Sequence, residues 1–149
     1  MPINPDYRDL FKAFNDETVK YLVVGAHAVI FYAEPRYTRD LDVLVEPSFD
    51  NAKRVWRALE AFGAPLENVS RKDFTNPEMI YQIGIEPNRI DIVMGIAGVD
   101  FAAAWANKTV STYGKVPINI IGKQDLIQAK RASNRPQDLL DIERLLQEE

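Results

Sequence analysis

The 149-residue sequence has no cysteine and a single histidine, His27. The first absence excludes disulfides and thiolate metal sites and fits a reducing compartment. The second leaves a dedicated zinc site, or a Ser-His-Asp arrangement, without its parts. No apolar run approaches the roughly 18 residues needed to span a bilayer. The opening residues, MPINPDYRDLFKAF, lack the basic region and long apolar core of a secretion signal. These absences predict a cytoplasmic protein with no membrane partner. Basic charge is also scarce: 18 Lys and Arg against 22 Asp and Glu leave a formal charge of −4. That balance argues against sequence-blind coating of nucleic acid, which relies on many phosphate contacts. The local exception spans residues 123–135, where Lys123, Lys130, Arg131 and Arg135 stand against Asp125 alone. Such a cluster fits a local basic groove or a solvated helix face.

What is present is an ordinary globular composition, 46% apolar and 27% charged. The length suits one domain over residues 1–149 with a core of its own. Leu10, Phe11 and Phe14 predict a first helix over Tyr7 to Phe14. Lys20 to Val24 reads as a strand stopping at Gly25, and Ala26 to Ala33 as a helix that must end near Pro35. Leu41 to Val45 is strand-like. The clearest helix follows, with Ser48 as cap, Ala52, Val55, Trp56, Leu59 and Phe62 as its apolar stripe, and Gly63 as its stop. MIYQIGIEPNRIDIVMGI alternates on both sides of EPN and predicts a β-hairpin. DFAAAWANK predicts a helix capped by Asp100. KVPINII predicts a strand in which Pro117 suits an edge or a bulge. Two short helices broken by SNRPQD close the chain, with Pro136 in a first turn. The mixture predicts an α+β fold (α/β with a mixed sheet), its sheet covered by helices on one side and followed by a C-terminal helical pair.

Within this frame some charges sit where apolar residues are expected. Asp40 and Asp42 flank Leu41 at the start of a strand, so both point to one face while Leu41 points to the other. Carboxylates that close repel unless a cation lies between them, and a hard divalent ion takes oxygen ligands of this kind. The spacing alone also fits two solvated strand aspartates. Asp91, between Ile90 and Ile92, is another charge inside an apolar run. If its strand lies beside Leu41–Val45, three carboxylates converge on a site able to hold Mg²⁺ (or Mn²⁺) for phosphoryl or nucleotidyl transfer. The strand–Gly25–helix junction adds a glycine and a helix N-terminus, which together suit a phosphate, although an ordinary turn also has this form. Arg36, Thr38 and Arg39 precede the aspartate pair and fit a polyphosphate contact or a solvated loop. His27 fits a capping or supporting role, with phosphate or acceptor contact as the alternative. Trp56 and Trp105 read as core.

VVGA, thirteen residues, then DLDVLV resembles the signature of the nucleotidyltransferase superfamily with the DNA polymerase β-like fold. More narrowly, GAHAVIFYAEPRYTRDLDVLVEPS and LIQAKRASNRPQDLLDIERL are similar to the small bacterial nucleotidyltransferases related to the AbiEii toxins. The resemblance runs from about residue 20 to 146. It implies metal ligation by Asp40 and Asp42, with Asp91 as third carboxylate, ligand or general base. It implies a triphosphate turn at Gly25, and Lys130, with Arg135 or Asp138, near the nucleotide or acceptor. The candidate nucleotide-binding set is therefore Gly25, Ala26, His27, Thr38, Arg39 and Lys130. The implied substrate is an NTP, and the implied acceptor is RNA (tRNA included), protein or a small molecule. An antitoxin partner follows from the narrower resemblance. Ala26 departs from the pattern, since the family usually has glycine or serine there. Alanine offers a phosphate only its backbone N–H, and one hydrogen bond to a charged group is worth about 1.5–3 kcal/mol. A nucleotide- or partner-binding module without transfer is thus the competing reading. A sugar-nucleotide transferase with a DxD metal site ranks below both, because it needs a larger fold and leaves Gly25 unexplained.

Overall fold

The computed structural model describes residues 3–33, 40–85 and 88–147. Arg36, Thr38 and Arg39 lie outside the described residues. The first helix, α1 (Pro5–Asp16), starts at Asn4, whose side chain accepts hydrogen bonds from the Asp6 and Tyr7 amides. It buries Leu10, Phe11 and Phe14, the stripe its spacing predicts. Strand β1 (Tyr21–Val24) runs into α2 (Gly25–Tyr32), and β2 (Leu41–Val45) follows. Helix α3 (Phe49–Phe62) is capped by the Ser48 hydroxyl and ends at Gly63, whose φ of 90° is left-handed. A 3-10 turn at Arg71–Thr75 precedes the hairpin of β3 (Ile80–Ile83) and β4 (Ile90–Val93). Then come α4 (Phe101–Ala106), capped by Asp100, the strands β5 (Thr109–Tyr113) and β6 (Val116–Ile120), and the pair α5 (Lys123–Ser133) and α6 (Pro136–Gln147).

The six strands form one mixed sheet in the order β3-β4-β2-β1-β6-β5. β1 is antiparallel to β2 and parallel to β6, and β2 is parallel to β4. The fold is the expected α+β arrangement, with three local differences. Thr109–Tyr113 is an additional strand, joined to β6 through Gly114 and Lys115, both at positive φ (53° and 70°), as a tight hairpin turn requires. Pro117 therefore lies in an internal strand rather than at an edge. The strand tolerates it because β6 meets β1 at Val23 and Ile120, away from the proline, and the Pro117 carbonyl accepts from Asn15 Nδ2 at 2.7 Å. The sheet is also covered on both faces, not one: every position of β1 and of β4 is buried.

On the face of Tyr21, α1 contributes Phe11, stacked at 6.0 Å, and Phe14 at 5.4 Å, all three essentially without exposure. Each such side chain stabilises the fold by about 1.5–3 kcal/mol through burial. On the opposite face, α5 brings Leu126 and Lys130 against Val24 and Asp42. Asn51 is fully buried at the start of α3, and its carboxamide is satisfied: Oδ1 accepts from the Lys20 amide, and Nδ2 donates to the Lys20 and Glu46 carbonyls. Trp56 and Trp105 are half-buried and pack against the edge of the core. Trp56 meets Phe74 edge-on and Arg71 above its ring, and Trp105 stacks on Phe101 beneath Lys108. Among the described residues, no helix is long and apolar enough to cross a membrane.

Candidate functional site

Strand register decides where the acidic residues go. In the parallel ladder Asp42 stands opposite Asp91, and in the antiparallel ladder it stands opposite Val24, the residue before Gly25. Paired residues share a face, so the two carboxylates are neighbours, and Asp40 lies on the same side two residues earlier. All three line a cleft of about 520 Å³ together with Gly25, Arg89, Lys130, Arg135 and Asp138. A larger groove of about 670 Å³ runs past Asp6, Asp9 and Lys12 and holds none of the expected site residues.

Gly25 has φ +66°, and a Cβ there would collide with the Asp42 carboxylate. Glycine is therefore required at the junction for a reason internal to the protein: it lets β1 hand over to α2 directly against Asp42. No side chain among the described residues caps α2 through its N-cap, Val24, so the first-turn N–H groups at Gly25 remain for another acceptor. Ala26 and His27 do not line this cleft. His27 lines a small apolar cavity of about 180 Å³ with Val23 and Leu41, the residues that alternate away from Val24 and Asp42. Its ring meets Tyr7 edge-on at 5.5 Å, its buried Nε2 has no hydrogen-bond partner among the described residues, and burial lowers its pKa to about 4.

The carboxylates are not left bare. Arg89 Nε donates to Asp91 Oδ1 at 2.8 Å and Nη2 to Asp91 Oδ2 at 3.1 Å, a bidentate pair. The same Nη2 lies 3.3 Å from Asp40 Oδ2, and the Arg89 amide donates to Asp40 Oδ1. Asp42 is held less well. Burial, the charge of Asp91, a hydrogen bond shared with it and the charge of Asp40 push its pKa up to about 7, against the opposing pull of Lys130. Among the described residues, no group of three or more His, Cys, Asp or Glu is arranged to hold a metal ion. Asp42 and Asp91 nevertheless offer the oxygen-only pair that Mg²⁺ takes from a protein, the remainder of its shell being water and phosphate.

Lys130 contacts carboxylates of its own. It is buried, with its ammonium 3.3 Å from Asp138 and 3.1 Å from Asp141, both on α6 and essentially without exposure. Arg135 adds Nε to Asp138 at 2.9 Å and its amide at 3.1 Å. Burial would raise the Asp138 carboxyl, but hydrogen bonds from Arg135, Ser133 and Lys130 hold it well below the usual carboxylate range. The apparent basic patch of residues 123–135 thus has two of its cations paired into α6. Asp138 is a buried ionic anchor as well as a first-turn carboxylate.

Residues 6–147 match a protein family described as "Nucleotidyltransferase of unknown function (DUF6036)". The chain belongs to this family. Solved structures show the same fold. A protein from Thermotoga maritima assigned as a nucleotidyltransferase is 16% identical, with TM-score 0.65 over 99% of this chain and 97% of that one. The lincosamide antibiotic adenylyltransferase LnuA, with lincomycin bound, is 16% identical, with TM-score 0.61 over all of both chains. An antigenic nucleotidyltransferase-like protein from Paracoccidioides brasiliensis is 14% identical, with TM-score 0.59 over 99% of this chain and 78% of that one. No curated protein matches the sequence. In this family member the structure brings Gly25, Asp40, Asp42, Asp91 and Lys130 to one cleft, and turns His27 to the far side of the sheet. Sequence reasoning did not find Arg89 or Asp141. The signal for Arg89 was its place two residues before Asp91, where alternation puts both on one face.

Proposed function

We propose that this chain is a divalent-metal-dependent nucleotidyltransferase that moves an NMP unit from an NTP to an acceptor hydroxyl, all within one domain. The observation that carries the reading is the register of Asp42 beside Asp91, with the Gly25 junction packed directly against Asp42 in the same cleft. Asp42 and Asp91, with Asp40 beside them, are the residues to hold Mg²⁺ (or Mn²⁺), which when bound neutralises phosphate charge and aligns the reacting groups. The open N–H groups at the start of α2 bind the polyphosphate, helped by the positive end of the helix. Asp91 accepts the proton of the acceptor hydroxyl as its oxygen attacks the α-phosphate, and pyrophosphate leaves. Lys130 and Arg135, already anchored by Asp138, fix the opposite wall of the cleft in place. The acidic balance of the chain and the pairing of Lys130 and Arg135 favour a small-molecule acceptor over RNA or protein. The similarity of the tail to AbiEii-related toxins extends the proposal to one component of a toxin–antitoxin pair, to be checked by growth arrest on expression.

A second reading, nucleotide or partner binding without transfer, draws on Ala26, which gives a phosphate no hydroxyl. Nucleotide titration with and without Mg²⁺, repeated on Asp40→Ala and Asp42→Ala, separates the two. Metal-dependent binding abolished by both substitutions, with pyrophosphate released in the presence of an acceptor, supports transfer. Metal-independent binding, or none, sinks it.

A further inference from the structure

We infer that Arg89 is the internal counter-cation of the carboxylate cluster. It holds Asp40 and Asp91 while no divalent ion is bound, and it leaves them when ion and nucleotide enter. The inference rests on the metal-dependent reading of the same cleft.

Arg89 occupies, by chemistry, the place of a metal. Its guanidinium takes both oxygens of Asp91, at 2.8 and 3.1 Å, and reaches Asp40 at 3.3 Å. A divalent ion and a guanidinium compete for the same lone pairs, so a cation can ligate Asp91 fully only after the bidentate pair opens. The backbone of Arg89 is fixed, since its carbonyl accepts from Leu41 at 3.0 Å and its amide donates to Asp40. The moving part is therefore the side chain alone. That side chain is 26% exposed and lines the cleft, so it can turn aside without disturbing the core. Once released, it remains in the cleft where a polyphosphate would lie, and its planar fork suits phosphate as well as carboxylate. The exchange is ordered by charge. Asp40 and Asp91, paired to Arg89, and Asp42 beside them leave a net negative charge that attracts a divalent ion, and the ion with its nucleotide then supplies Arg89 with a new anion.

The test is equilibrium binding of Mn²⁺ to the nucleotide-free protein, read as loss of the free-ion electron paramagnetic resonance signal. Wild type is compared with Arg89→Met, Arg89→Lys and Asp42→Asn. Arg89→Met is expected to bind Mn²⁺ about tenfold more tightly, the worth of a lost charged hydrogen bond, with Arg89→Lys in between. Without metal, Arg89→Met should melt lower than wild type, and it should gain more from added Mn²⁺. If Arg89→Met misfolds, Arg89→Lys carries the comparison. Equal or weaker Mn²⁺ binding in the Arg89 variants, with wild-type binding lost in Asp42→Asn, overturns the counter-cation role and leaves the site reading standing. No Mn²⁺ binding, or binding that Asp42→Asn leaves intact, overturns the site reading and the counter-cation role with it.

Discussion

On one side of the cleft Asp42 lies beside Asp40 and Asp91, which Arg89 pairs; on the other, Asp138 meets Lys130 and Arg135, and behind them Asp141 meets Lys130, with Arg144 4.0 Å away. In the second group the two buried carboxylates are fully matched by Lys130, Arg135 and Arg144, of which Lys130 is buried and the two arginines are exposed, and Asp138 is correspondingly held far on the ionised side. The first carries excess negative charge, and Asp42 is correspondingly pushed towards neutrality. A balanced cluster stabilises the fold by being complete. One with excess negative charge stores repulsion that a bound cation would relieve, the difference expected between the proposed binding site and a structural ion pair made of the same residue types.

Removing one carboxylate from each end should therefore act in opposite directions. Asp138→Ala takes from the buried Lys130 one of its two carboxylates and from Arg135 its partner, and is expected to cost about 1.5–3 kcal/mol of stability, measured by urea denaturation at neutral pH. If it costs less than about 1 kcal/mol, the two ends are not built differently. Asp42→Asn should lower transfer on the order of 10²–10³-fold, as loss of a group that stabilises developing charge does. Its metal-free melting temperature should rise, because the repulsion with Asp91 is gone. A fall in melting temperature would contradict the stored-repulsion argument.

Gly25→Ala probes the contact between the unbalanced end and the fold. It forces a Cβ onto the Asp42 carboxylate at a left-handed φ and should destabilise by about 1–3 kcal/mol. Pairing it with Asp42→Gly, which removes the obstructing carboxylate, should recover part of that loss.

The smallest effect belongs to His27, which must be subtracted before any pH series is assigned to either cluster. Its folded pKa of about 4 lies below its ordinary 6.5, so the unfolded chain binds more protons between those values. Stability from this group is complete above pH 6.5 and is lost on acidification towards pH 4. The loss between pH 7 and pH 5 should be about 1–2 kcal/mol, and His27→Gln should remove that slope in paired denaturation curves.

The wall of the site was legible in the sequence because Asp42 and Asp91 interrupt apolar strand runs, and alternation alone then fixes their face. The helix caps at Ser48 and Asp100 and the stop at Gly63 were legible for the same local reason. The additional strand at Thr109–Tyr113 was not, because its turn depends on Lys115 taking a positive φ, which lysine does not advertise. Nor was the burial of Asp138 and Asp141, since acids on an amphipathic helix ordinarily read as solvent-facing. Arg89 was not legible because its partner Asp40 lies on another strand, and His27 leaves the Gly25 cleft because two helical positions turn a side chain roughly 200° about the axis. The missed ion pairs of Arg89 and Lys130 concern partners on other elements, which local periodicity cannot name.

Asn51 carries a consequence for how this site could change over time. Its side chain grips the backbone of Lys20 and Glu46, at the end of the β1–β2 ladder remote from Asp42. A slip of a single residue would send Asp42 to the wrong face of the sheet, and Asn51 is placed to forbid it. Alignment is thus proofread at one end of the strands and used at the other. If the cleft works as proposed, its surrounding loops can change without shifting the carboxylates, and specificity can evolve apart from chemistry.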